Sequence, residues 1–247
     1  MTETIARRDD PAVPLLMPVL LSLVAGYLDS YTYLSLFGLF AAQVTGSFVI
    51  AGVEFVTSDY GIAGKLIAIA AFVIAAAATA AFCIAAREAR VAALPWMLAL
   101  ETFLLAVFAA ILVFGPEVRD AREWHGIVAG VFAAMAMGAQ SVLVRLLMKG
   151  IPQTNVMTGN MTQLGIAATE LIMARRRVDH SRHGEVAMRD FANARGRLVT
   201  VLAVAVGFLL GAAAGALAFA TTDLHGVLAA VAIVGALTLW ALLRQKG

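Results

Sequence analysis

The 247 residues are 62% hydrophobic and 14% charged, with a mean hydropathy of +0.89, far beyond the about 45–50% apolar content of soluble domains. Eighteen Lys and Arg against 16 Asp and Glu leave a net charge of +2, too slight a bias to point to nucleic acid as a partner. A single cysteine, Cys83, excludes an intrachain disulfide and a thiolate pair for metal; with no ligand-spaced histidines, phosphate cradle or Ser-His-Asp order, neither a cofactor, a metal nor an enzymatic activity is expected.

The chain opens with Arg7 and Arg8, then Asp9 and Asp10, then an apolar run from Val13 that continues past Gly26 without a small-residue cleavage site. This predicts a retained first span over 13–37 rather than a signal peptide. Further stretches of about 20 apolar residues, the length a bilayer demands, follow at 62–86, 91–115, 125–148, 198–221 and 224–243. Trp96, Trp124 and Trp240 stand near span ends, where an indole suits the headgroup level. The segment 175–197 carries seven arginines and reads as a cytoplasmic basic loop, whereas the hinge at Asp223 has no Lys or Arg. By the positive-inside rule both termini are cytoplasmic, with only Lys65, Arg119 and Arg122 on the far side.

Two segments, 38–58 and 150–173, are apolar in part yet centre on a Thr-Gly dipeptide. Polar sequence at membrane depth must be buried in protein or line a wet cavity, so both are expected to be broken or re-entrant helices. They also mark a repeat. Gly26 precedes Gly38, Thr45, Gly46 and Gly52, and Gly138 precedes Gly150, Thr158, Gly159 and Gly165. Repeat 1 is 13–115 and repeat 2 is 125–243, within one membrane domain covering 1–247. Three full spans per half make the repeats inverted and four make them parallel, both familiar transporter plans; the expectation is an all-α polytopic bundle of the inverted kind.

Ionisable and polar residues inside spans mark the candidate site, because burying charge in a membrane is costly. Asp29 leads, as a proton or cation site or as one half of an ion pair with Arg145, whose alternative is to snorkel to the headgroups. Glu101 is either a proton carrier or a neutral core acid. Glu54 and Glu170 sit near segment ends and read equally as interface markers. Gln43, Ser47 and Glu54 share one helical face; Gly159, Gln163 and Glu170 share another, beside Asn155, Thr158 and Thr162. Such faces serve as a solute path or as an interhelical polar seam. Gly46 and Gly159 permit backbone turns or close approach. Gly207, Gly211 and Gly215 form a small-residue ridge for helix packing, within the chain or across a homo-oligomer.

Gly26-Tyr-Leu-Asp29, Thr45-Gly46, Gly138-Ala-Gln140-Ser-Val-Leu-Val-Arg145 and Thr158-Gly159-Asn160-Met-Thr162 together resemble the YoaK-like family of bacterial inner-membrane proteins, over about residues 14–243. The resemblance implies a six-span protein of the bacterial inner membrane whose function is itself unknown. That family tends to show Thr-Gly-Asn in the first half, where this chain has Ser47. The expected partners are the lipid bilayer and a small solute or ion, moved by a transporter or channel with the two Thr-Gly segments at its centre. The alternative is a non-transporting scaffold or sensor that binds a cytoplasmic partner through the basic loop.

Overall fold

The computed structural model describes residues 14–57, 61–180 and 184–244, and among them every regular element is helical. The order is α1 (Leu16–Ser35), α2 (Val44–Thr57), α3 (Ile62–Glu88), α4 (Leu94–Phe114), α5 (Trp124–Leu147), α6 (Met157–His180), α7 (Gly184–Thr222), a 3-10 turn (Asp223–Val227) and α8 (Leu228–Arg244). Arg7, Arg8, His183 and Lys246 lie outside the described residues.

Four stretches are long and apolar enough to cross a bilayer: 62–88, 94–114, 124–147 and 185–244. The last holds two helices, because Asp223 takes φ 51° and the 3-10 turn separates α7 from α8. Helix α1 has the length but falls short in apolarity, since Ser22, Asp29, Tyr31 and Thr32 interrupt it. All four are buried inside the bundle rather than turned outward.

Two apolar clusters give the helices their direction. One joins Met17 and Leu21 of α1 to Cys83, Met97, Leu98, Leu143, Val144, Leu237 and Ala241. The other joins Val24, Leu28 and Tyr31 to Ala68, Leu104, Leu105, Ala133, Met137, Val227 and Ala230. Thus α1 and α4 run from the first cluster toward the second, whereas α3, α5 and α8 run back.

Helix α1 packs along α7 in parallel, with Gly207, Gly211 and Gly215 against the carbonyls of Val19, Leu23 and Tyr27. A methyl group at Gly211 would collide with the Leu23 carbonyl, so the ridge sets how closely the helices approach. Helix α3 packs on α5, where a Cβ at Gly138 would stand 2.5 Å from the Phe72 carbonyl. Gly26 meets the Phe208 carbonyl on α7 in the same way. Helix α4 lies between α5 and α8, and the hydroxyls of Thr102 and Thr238 meet at 2.9 Å.

The basic segment expected as a loop is helical wherever it is described. Asn160, Ala167 and Ala174 are buried on α6, and Ala187, Ala194 and Val201 on α7, each series at seven-residue spacing. That spacing builds a two-helix seam, and the Glu170–Arg197 ion pair at 2.8 Å ties its exposed edge. Helix α7 has 39 residues, about 58 Å at 1.5 Å per residue, so it is far longer than a hydrocarbon layer of about 30 Å. At the other end of the bundle, the Arg122 side chain and backbone amide hold the Asp120 carboxyl below the usual carboxylate range.

Candidate functional site

Two loops, one after α1 and one after α5, turn back toward the interior of the bundle. Helix α1 closes with the Gly38 amide bonded to the Tyr33 carbonyl at 2.9 Å, and Gly38 sits at φ 80°. This is the left-handed stop that glycine adopts without a steric cost. Gly150, after α5, has the same φ of 80°.

Beyond Gly38 the chain returns to α1. Asp29 Oδ1 accepts the amides of Ala42 (2.7 Å) and Gln43 (3.2 Å), so the carboxylate caps the loop that leads into α2. Beyond Gly150 the chain meets α5 and α1 together. Gln140 Nε2 donates to Thr154 Oγ1 (2.8 Å) and to the Leu21 carbonyl (3.0 Å), and Asn155 Nδ2 donates to Ser141 Oγ. The Ser22 hydroxyl reaches the carbonyls of Thr154 (3.0 Å) and Val204 (2.8 Å) and donates to one at a time.

The residue after each Thr-Gly dipeptide then closes its loop. Ser47 Oγ bonds the Phe40 carbonyl at 3.0 Å and accepts the Phe40 amide at 3.2 Å. Asn160 Nδ2 donates to the Gln153 carbonyl at 2.7 Å, again seven residues back. Serine and asparagine therefore perform one task in the two halves.

The dipeptides themselves are not central. Helix α2 packs on α3 and α6 on α7, leaving Thr45, Thr158, Gly159 and Thr162 exposed and Gly46 half-buried against the Phe40 ring. Within the segments 38–58 and 150–173 it is the loops ahead of the dipeptides that reach the interior, because Gly38 and Gly150 turn the chain inward before α2 and α6 begin, while Thr45, Thr158, Gly159 and Thr162 stay outside it. The expected Asp29–Arg145 pair is likewise not formed. Asp29 spends its bonds on the Ala42 and Gln43 amides, while Arg145 is exposed in the last turn of α5, the end that carries the Met17 cluster.

A polar layer separates the two apolar clusters. On α1 it contains Ser22, between Leu21 and Val24; on α5, Gln140, between Met137 and Leu143; on α4, Glu101, between Leu98 and Leu104. Ser22, Glu101 and Gln140 are each 0% exposed, and Asp29 is 3% exposed. Five oxygens in this layer and just beyond it lack a hydrogen-bond partner: Asp29 Oδ2, Gln140 Oε1, Asn155 Oδ1 and both carboxyl oxygens of Glu101. Each such buried acceptor costs about 1–3 kcal/mol.

Sequence reasoning missed Ser22, Lys65, Ser141 and Thr154. Lys65 Nζ, buried at the start of α3, binds Glu54 Oε1 at 2.6 Å and the Phe37 carbonyl at 3.0 Å, fastening α2 to α3. The halves' own alignment was the available signal for Ser141, which follows Gly138 by three residues as Asp29 follows Gly26. At the end where the arginines lie, an open crevice of about 470 Å3 between α6, α7 and the Gly150 loop is lined by Gln163, Asn193, Arg197 and Thr200. Among the described residues no cluster of His, Cys, Asp and Glu has the grouping to hold a metal ion.

Comparison with known proteins gives one family match, to a protein of unknown function (DUF1275), over residues 17–241. No curated protein and no solved structure matches the chain.

Proposed function

We propose, from the premise that this chain belongs to the DUF1275 family, that it is a small-solute or ion transporter or channel, set in the bacterial inner membrane as the YoaK-like resemblance implies. The observation that carries this reading is the pair of inward loops delivering backbone and side-chain polar groups to Asp29, Gln140 and Ser141 in the middle of an apolar bundle. Irregular backbone at membrane depth is tolerated where protein or a wet path surrounds it. In this reading the segments ending in α2 and α6 enter from opposite faces, each leaving by the face it entered, and the crevice beside Arg197 is the cytoplasmic mouth.

Inverted repeats support the same plan. Helix α1 packs on α7, and α5 packs on α3, so each half's first helix lies against the other half's third. The contacting residues correspond as well: Gly26 meets Phe208 where Gly138 meets Phe72. Gly207, Gly211 and Gly215 stand 136 residues after Ala71, Ala75 and Thr79, and the touching Thr102 and Thr238 are separated by the same interval. Two such halves can exchange tightness across the polar layer, which is how alternating access is built.

The test is flux together with accessibility. Asp29→Asn keeps an acceptor oxygen for the Ala42 and Gln43 amides, so the protein folds, yet the variant loses the charge; transport in proteoliposomes is expected to fall roughly tenfold or more. Single cysteines at positions 43 and 155, introduced into Cys83→Ala, are expected to react with water-soluble maleimide from opposite sides of the membrane. Protection of both, with wild-type behaviour of Asp29→Asn, would leave the polar groups as structural glue. A scaffold acting through its basic hairpin would instead respond only to changes between Arg175 and Arg197.

A further inference from the structure

Glu101 is a buried carboxyl with no ion-pair partner among the described residues. It lies on the core-facing stripe of α4, among Met97, Leu98, Leu104, Leu105 and Phe108, with 0% exposure and no hydrogen bond to either oxygen. The helices packed on α4 bring no titratable group to its level. On α5 the ionisable residues are His125 and Arg145, in the first and last turns; on α8 there is only Arg244, in the last turn; the 3-10 turn brings Asp223 and His225 to the far end. Asp29, on α1, belongs to the same far-end half, beyond the layer, and its Oδ1 is committed to the α2 loop. Leaving an isolated carboxyl charged in such surroundings is costly, whereas its neutral form carries a proton. A structural core acid would be expected to donate that proton to a fixed acceptor, and the Glu101 oxygens have none within bonding distance.

The remaining orphan atoms, Gln140 Oε1 in the layer and Asp29 Oδ2 beyond it, have one chemistry. Gln140 has spent both amide protons on Leu21 and Thr154 and presents only Oε1; Asp29 presents Oδ2. Orphan acceptors without donors suit a proton or a bare monovalent cation and disfavour an anion.

We propose that Glu101 is the proton-carrying residue of the transport cycle, exchanging its proton for a monovalent cation when the polar layer opens. In that step the carboxyl O–H bond breaks, the electron pair stays on the carboxylate, the proton passes to water, and the cation is held by the carboxylate with the orphan oxygen of Gln140. This rests on the transport reading above and names its ion.

Two measurements test it on the full-length protein in liposomes. Dicyclohexylcarbodiimide, which reacts from the lipid phase with protonated carboxyls, is expected to modify Glu101 in the wild type, less so as the pH is raised, as read by peptide mass spectrometry. Pulses of sodium or potassium chloride to pyranine-loaded vesicles are expected to release protons, and Glu101→Gln is expected to reduce that release roughly tenfold or more while retaining the wild-type melting temperature. A wild-type protein unmodified at Glu101 overturns the proposal, and so does proton release unchanged in Glu101→Gln. A wild type modified at Glu101 but silent to both cations overturns the exchange step alone; the transport reading is then decided by the Asp29 and cysteine experiments.

Discussion

Single side chains decide where this chain leaves its helices. Ser47 and Asn160 each clamp a carbonyl seven residues upstream, so the bond matters and the residue type does not. Ser47→Ala removes both of its bonds to Phe40 and should cost about 1–2 kcal/mol, whereas Ser47→Asn, which restores a donor and an acceptor, should cost less. Thermal unfolding in detergent separates the two, and equal losses would contradict the shared role. Asp29 stood out in the sequence because a carboxylate within an apolar run is costly and needs a partner. Its partners did not, since they are backbone amides of a loop whose inward course depends on Gly38 at φ 80°, a conformation that no composition reveals.

Among the elements, the contacts that matter are small or ionic. Gly211→Ala places a methyl against the Leu23 carbonyl and should destabilise the α1–α7 pair by about 1–3 kcal/mol, read as a lower melting temperature by fluorescence size exclusion. Lys65→Met strands the Glu54 carboxylate against α3 and should cost about 3–5 kcal/mol; the double variant with Glu54→Gln should recover a substantial part. If Lys65→Met is neutral, α2 is held by lipid-facing packing alone. The spans were readable because about 20 consecutive apolar residues have few other uses. The hairpin of α6 and α7 was not, because its arginines hide a seam made mostly of alanines at seven-residue spacing.

For the whole molecule, the cluster assignments put Met17, the α3–α4 connection, Gly150 and Arg244 at one end, and the 3-10 turn together with the α4–α5 connection at the other. Combined with the charge bias, this predicts that green fluorescent protein fused after residue 247 fluoresces, and that a tag inserted between Glu117 and Arg122 is cleaved only by protease added from the periplasmic side. The reverse result would invert the proposed orientation. The alternation of the long helices was expected from the spacing of apolar stretches; the partnership of α1 with α7 and of α5 with α3 was not legible, because glycines and alanines carry little pattern until their opposing carbonyls are seen.

The great length of α7 has a mechanical consequence. If about 30 Å of its about 58 Å lies in hydrocarbon, the remaining about 28 Å is a stiff arm, braced by α6 and rigidly keyed to α1 through its glycines. A tilt of about 10° at the buried end would swing the outer tip by about 5 Å over that length. A spin label near Glu185 would therefore magnify, outside the membrane, rearrangements too small to follow at the polar layer.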